Sequence, residues 1–472
     1  MFVQQFFVTG LAHSSYLLAG SSTCAIIDPG RDIGVYLDAA KAMGMRITHI
    51  LETHLHADFI SGHMDLAQAT GAPIYAPKSA NCEFDHVPME ECSEFEIENL
   101  HLRVVETPGH TPEHISYVVV DRSRGDDPAG VFCGDTLFVG DVGRPDLFPG
   151  RAQELASKLF HSLHDKLLNL PDFCEVYPAH GAGSLCGRAM GAKRTSTIGY
   201  ERKYNNASQI LDEARFVESL TTNMPEAPDH FTRCSAINAS GPALVNRLDD
   251  LVPLAPAAFQ DKVKAEDAVV LDTRPYESFG GQHIPGAYHI DFGGNFATFA
   301  GWVLPPERKI ALVSTSREQA GEAVVWLRRV GLDNVVSFLD GGMFAWARAG
   351  LHTDHVPQLS VHELHAQIQG HDPIALVDVR APSEFDGFHI EGAINMPAPQ
   401  LRTRHAELDP GIPVVMICST GHRSSLAASL LKQHGFKEVS NAAGGMTAYA
   451  AVGYGPECRM CVGSHGPRFV DT

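Results

Sequence analysis

The sequence His54-x-His56-x-Asp58, then His110 in "ETPGHTPEH", Asp135 in "FCGDTLF" and His180 in "YPAHG", places six imidazole or carboxylate groups in order. These are the donors expected around zinc, iron or manganese. Taken singly, each histidine reads as a hydrogen-bonded core or surface residue. Taken together, each just past a β-prone run, they read as one metal centre. A second chemistry stands near the C-terminus, where the apolar run "PVVMIC" delivers Cys418 into "CSTGHRS". Backbone N–H groups of Ser419, Thr420, Gly421 and His422, with a helix start behind them, make an anion-binding nest. The same field favours the nucleophilic thiolate. Arg423 adds charge for a dianion, and Gly421 permits a backbone conformation that other residues resist.

These groups need rigid carriers. "RITHILETHLHADF", "LRVVETPGHT", "GVFCGDTLF" and "CEVYPAHG" each show an apolar, β-prone run that ends on a His or Asp. Strand ends and the loops after them are where α/β folds commonly place their sites. The Pro- and Gly-containing stretch Ala239–Pro256 reads as a linker. Beyond it, "LDTRPYESFGGQHIPGA" (Leu271–Ala287) aligns without gaps on "VDVRAPSEFDGFHIEGA" (Val377–Ala393), and "LDGGMFAW" is echoed by "AAGGMTAY". The last part is therefore two copies of one α/β unit of about a hundred residues. The boundaries expected are 1–240, 255–355 and 356–472. In the middle copy Ser314 stands about where Cys418 belongs. A serine hydroxyl stays protonated and carries no stable sulfane sulfur, so this copy is expected to be a spacer or interface. Its Asp272, Arg274 and His283 read as fold-maintaining turn residues.

"THLHADFISG", "TPGHTPEH", "GDTLF" and "PAHG" resemble the motifs of the metallo-β-lactamase superfamily. The resemblance covers most of the first 240 residues and implies an αββα sandwich with its metal at the strand ends. Hydrolytic members of the glyoxalase II type carry a His directly after the motif's Asp, which helps to hold a second metal; here Phe59 replaces it. The resemblance then points to the persulfide dioxygenases of the superfamily, with a single non-haem Fe(II) per chain on His54, His110 and Asp135. A single zinc fits the same three residues. His56, Asp58 and His180 would orient ligands or substrate. "GDVGRPDLF" also resembles the dioxygenase pattern. Arg144 within it pairs either with an anionic part of a thiol cofactor or with a local acid, Asp141 or Asp146. Cys186 either faces the metal pocket and handles sulfur or is an ordinary buried cysteine.

The Cys418 loop resembles the rhodanese active loop, and rhodanese-like resemblance runs from Ala255 to Gly453. It implies exchange of sulfane sulfur with sulfite or thiosulfate at Cys418. The combined expectation is a persulfide dioxygenase and sulfurtransferase acting on a glutathione or coenzyme A type persulfide with O2. The alternatives are a zinc hydrolase of the glyoxalase II type with an accessory rhodanese, or a persulfide carrier that consumes no oxygen.

Bulk properties bound these readings. A chain of 472 residues suggests about three domains. A net charge of −20 argues against nucleic-acid binding, which needs basic surface. No long uncharged apolar run suggests a membrane span, and the start lacks a basic n-region. Ten widely spread cysteines suggest reduced thiols and a cytoplasmic protein. Cys458 and Cys461 form a lone C-x-x-C, a weak zinc or redox signal. A homo-oligomer is expected from the superfamily resemblance.

Overall fold

Alternation along the first strands decides which side of the sheet each residue serves. In His13–Ala19, Tyr16 and Leu18 join one core while Leu17 and Ala19 join another. The computed structural model describes all residues except 189, 223, 225, 456–459, 464–465 and 470–472, so Cys458 lies outside the described residues. Two compact units result: Met1–Leu248 with Arg328–Gly331, and Asp249–Leu327 with Leu332–Thr472.

The first unit holds two six-stranded sheets. One runs in chain order from Phe2–Val8 through His13–Ala19, Thr23–Ile27, Arg46–Leu51 and Ile74–Pro77 to Val87–Met89. The other runs in reverse chain order from Ser196–Thr197 through Glu175–Pro178, Pro128–Gly134, Ile115–Asp121 and Leu100–Glu106 to Glu94–Ile97. Leu18, Ile27, Leu51, Leu102, Val104, Tyr117 and Phe132 fill the space between the sheets. On the outer face of the first sheet, Leu17, Ile26 and Ile50 meet Tyr36, Ala40 and Leu66 of the helices Gly34–Ala42 and His63–Thr70. On the outer face of the second, Val118, Val131 and Val176 meet Ala156, Leu159 and Phe216 of Ala152–His161 and Glu213–Thr221. This is the expected αββα sandwich. Each fully buried Leu or Phe contributes about 1.5–3 kcal/mol to it.

The second unit carries the repeat in three dimensions. Its two five-stranded parallel sheets have the same strand order. One is Val252–Leu254, Val335–Leu339, Ile310–Val313, Val269–Asp272, Tyr288–His289; the other is Gln358–Leu359, Val439–Ala442, Val414–Ile417, Ala375–Asp378, Ile394–Asn395. Asp272 pairs with Val313 as Asp378 pairs with Ile417, which puts Ser314 in the register position of Cys418. The shared Asp and Arg do the same structural work in both copies. Arg274 Nε and Nη2 fork onto Asp272 at 2.9 and 2.6 Å, and Arg380 onto Asp378 at 3.0 and 2.6 Å. Each guanidinium also bonds a carbonyl eight residues on, Gln282 or Phe388, closing the turn after Val269–Asp272 or Ala375–Asp378.

Candidate metal centre and sulfur-transfer loop

His54, His110, Asp135 and His180 all stand just past the C-terminal ends of strands: Arg46–Leu51, Leu100–Glu106, Pro128–Gly134 and Glu175–Pro178. His110 Nε2 lies 3.3 Å and His54 Nε2 3.8 Å from Asp135 Oδ2. Donor atoms that each sit about 2.0–2.2 Å from one ion are separated by such distances. Both Nε2 atoms are buried without a hydrogen-bond partner, an arrangement that costs free energy unless a cation fills it. The residues therefore fit a bound metal ion.

Their other nitrogens are committed. His110 Nδ1 donates to the Arg144 carbonyl at 2.8 Å. Thr53 Oγ1 donates to Asp28 at 3.0 Å, so at 2.9 Å it accepts from His54 Nδ1. Both imidazoles thereby keep the Nε2 lone pair free for a ligand bond, the usual role of groups behind a metal ligand. Burial pushes the pKa of both histidines down, which favours that neutral form. Gly143 is required here, because a Cβ would stand 2.0 Å from the Asp135 carbonyl and 3.0 Å from His110.

The remaining predicted groups take distinct positions. His180 bridges two carboxylates, Nδ1 to Asp135 Oδ1 at 2.8 Å and Nε2 to Asp58 Oδ2 at 2.9 Å. Burial alone would lower its pKa; Asp135 and Asp58 outweigh burial and raise it. Cys186 is buried and its donor atom clusters with those of Asp58 and His180. Burial first, then Asp58 and Asp135, push its thiol well up. His56 turns away, its Nε2 lying 3.2 Å from Asp28 Oδ1 and 3.6 Å from Glu52 Oε2. Phe59 is buried against His13 and His56, with ring centroids 3.9 and 4.4 Å away. Arg144 follows the local reading: its guanidinium forks onto Asp146 at 2.6 and 2.8 Å.

Sequence reasoning missed Asp28 and Glu52, which flank His56, and His63, whose Nδ1 lies 3.2 Å from Glu52 Oε1. A signal existed for the first, since "AIIDPG" is one more buried strand ending on an acid.

In the second unit Cys418 leaves the strand Val414–Ile417 and enters a loop closed by the helix His422–Gln433. Its Sγ accepts from Gly421 N–H at 3.1 Å and from Ser424 Oγ at 3.2 Å. Thr420 is half-buried at the loop's bend and His422 is exposed. Arg423 does not stand free for a dianion. It forks onto Glu384 at 2.7 and 2.8 Å, and Ser419 Oγ joins both at 2.7 and 3.0 Å. Glu384 was not anticipated, although the repeat offers a signal: the gapless alignment sets Ser278 against it in the copy without the cysteine. In that copy Ser314 Oγ lies 2.8 Å from Thr273 Oγ1. There the helix starts at Arg317, leaving three residues after the strand where the last copy has four.

Fold and site define a metal-binding αββα sandwich joined to a pair of rhodanese-type units. The Metallo-beta-lactamase superfamily matches residues 8–180, and the Rhodanese-like domain matches 255–349 and 360–452. The chain is 31% identical over 189 residues to a probable metallo-hydrolase of Bacillus subtilis, covering 36% of this chain and 84% of that protein. It is 33% identical over 169 residues to a hydroxyacylglutathione hydrolase of Methylococcus capsulatus, covering 35% of this chain and 60% of that protein. A solved metallo-beta-lactamase from Staphylococcus aureus superposes with a TM-score of 0.65 at 33% identity, covering 71% of this chain and 98% of that one. The chain belongs to the metallo-beta-lactamase superfamily, with its sandwich fused to tandem rhodanese-like domains. Among the described residues no helix is long and apolar enough to cross a membrane.

Proposed function

We propose that the chain is a persulfide dioxygenase with a sulfurtransferase module. Residues 1–240 convert a thiol persulfide, O2 and water to the thiol and sulfite. Residues 356–472 exchange sulfane sulfur between Cys418 and sulfite or thiosulfate. One observation carries this reading: with Phe59 in place of an imidazole and His56 turned to Asp28 and Glu52, three donors remain at the first site. His54, His110 and Asp135 would hold one Fe(II). Such an ion leaves positions open to both a thiolate-type sulfur and O2. The chain's own part is to fix the ligand nitrogens through Thr53 and the Arg144 carbonyl, and to hold a proton on His180 between Asp58 and Asp135.

A second reading, a zinc hydrolase of the glyoxalase II type, is the one the named relatives favour. Its structural support is the donor set Asp58, His180 and Cys186, which would seat a second ion.

Oxygen uptake by the anaerobically iron-loaded protein separates the two. Glutathione persulfide or coenzyme A persulfide should trigger uptake with sulfite appearing, and His110→Ala should abolish it. Two zinc ions per chain, thioester hydrolysis and no oxygen uptake would establish the hydrolase instead.

A further inference from the structure

The copy without a cysteine reaches into the loop of the copy that has one. Asp291 Oδ2 contacts His422 Nδ1, and Asp291 Oδ1 lies 2.9 Å from His289 Nε2. His289 Nε2 also lies 2.9 Å from the Arg274 carbonyl, so it faces acceptors and carries the proton. Its Nδ1 is then free to accept from Ser425 Oγ at 2.9 Å, and its backbone N–H donates to Ser429 Oγ at 3.0 Å. Ser425 and Ser429 belong to the helix behind Cys418. Tyr276 packs edge-on to His422 at 5.1 Å and blocks any side chain at Gly421, whose Cβ would stand 2.9 Å from the ring. Gly421 has a φ of 103°, so the loop needs glycine twice over.

A second, independent observation comes from the repeat itself. The gapless alignment sets Tyr276 against Pro382. The equivalent pairings Asp272 with His289 and Asp378 with Asn395 set His289 against Asn395, and hence Asp291 against Pro397. The residues that touch the Cys418 loop are thus ones in which the two copies differ. A mere duplicate would carry Pro, Asn and Pro there.

We propose that Asp291 is a positioning residue of the Cys418 site: it holds His422 by Nδ1 as a fixed cationic donor, with Nε2 offered to the thiosulfate or sulfite dianion. This rests on the reading of Cys418 as a sulfane-sulfur carrier. In the step served, the Cys418 thiolate attacks the outer sulfur of thiosulfate. A Cys–S bond to that sulfur forms, the S–S bond of thiosulfate breaks, and sulfite leaves with the bonding pair, so no further oxidant or reductant is needed. Arg423 is forked onto Glu384, which leaves His422 as the loop's exposed cation. The groups facing His422 are Asp291, Glu277 and the Tyr276 ring, all from the preceding copy. The hydrogen bond to Asp291 raises the His422 pKa. Asp291, pushed up by burial but pulled down more by His289 and His422, sits at about 2.

Transfer from thiosulfate to cyanide by the full chain tests this between pH 6 and 9. At pH 7.5, Asp291→Asn and His422→Gln should each raise the KM for thiosulfate about tenfold, the worth of one charge-assisted hydrogen bond, with kcat changed about twofold or less. The wild-type KM should rise as pH passes the His422 pKa. In Asp291→Asn that rise should come at a lower pH, and Asp291→Glu should restore it. An Asp291→Asn profile identical to wild type overturns the proposal. The rate of Cys418 alkylation by iodoacetate relative to iodoacetamide reads the same charge without turnover. The ratio should fall in both variants, and an unchanged ratio in Asp291→Asn also overturns the proposal. Transfer that survives Cys418→Ser would instead refute the carrier reading, and the alkylation ratio would still decide the role of Asp291.

Discussion

Thr53 stands between Asp28 and His54, and its hydroxyl determines which nitrogen of His54 carries the proton. Without it, the imidazole can take the tautomer that puts hydrogen on Nε2, the atom facing Asp135. Thr53→Ala should therefore weaken metal binding about 10- to 100-fold, the usual effect of losing a group behind a ligand. Thr53→Ser should keep it. Competition with a chelator of known affinity measures both, and equal affinities in all three proteins would exclude this role. Asp28 itself sits at a φ of 50°, uncommon for a residue with a side chain, and its carboxylate serves both the Thr53 hydroxyl and His56.

Among elements, the short helix Pro382–Gly387 matters more than its length suggests. Its Glu384 reaches the Cys418 loop and holds Arg423 and Ser419. Burial works against the Glu384 carboxylate, yet Arg423 draws its pKa down to about 2. The folded pKa is thus below the unfolded value of about 4.3. Stability from this pair is complete above that unfolded value and is lost as pH falls through about 2. Glu384→Gln should lower the melting temperature at pH 7, and the gap to wild type should close between about pH 4.3 and 2. Thermal melts across that range check the sign; a gap that widened toward low pH would contradict it. Sulfur transfer should suffer as well, since an unpaired Arg423 no longer shapes the loop.

At the scale of the whole molecule, one half is proposed to make the sulfite that the other half consumes. Covalent linkage keeps the intermediate at a raised effective concentration. Cys418→Ser should accordingly shift the products formed from a persulfide toward sulfite and away from thiosulfate, with oxygen uptake retained. Product analysis that found an unchanged ratio would disprove the coupling while leaving the dioxygenase standing.

Much of this was legible in the residues. The order of imidazoles and carboxylates at the ends of apolar runs marks the metal centre, because residue type and strand periodicity are local properties. The gapless repeat and the Ser314-for-Cys418 exchange mark a duplicated unit with a cysteine at that position in one copy alone, for the same reason. Which way a side chain turns is not local. His56 shares a motif with His54 yet faces Asp28 and Glu52. Arg423 reads as an anion binder and Arg144 as either that or the partner of a local acid, and each is forked onto a carboxylate, Glu384 or Asp146. Asp291 reaches His422 from 131 residues away. Such choices depend on distances between strands and loops far apart in the chain, which only the tertiary structure decides.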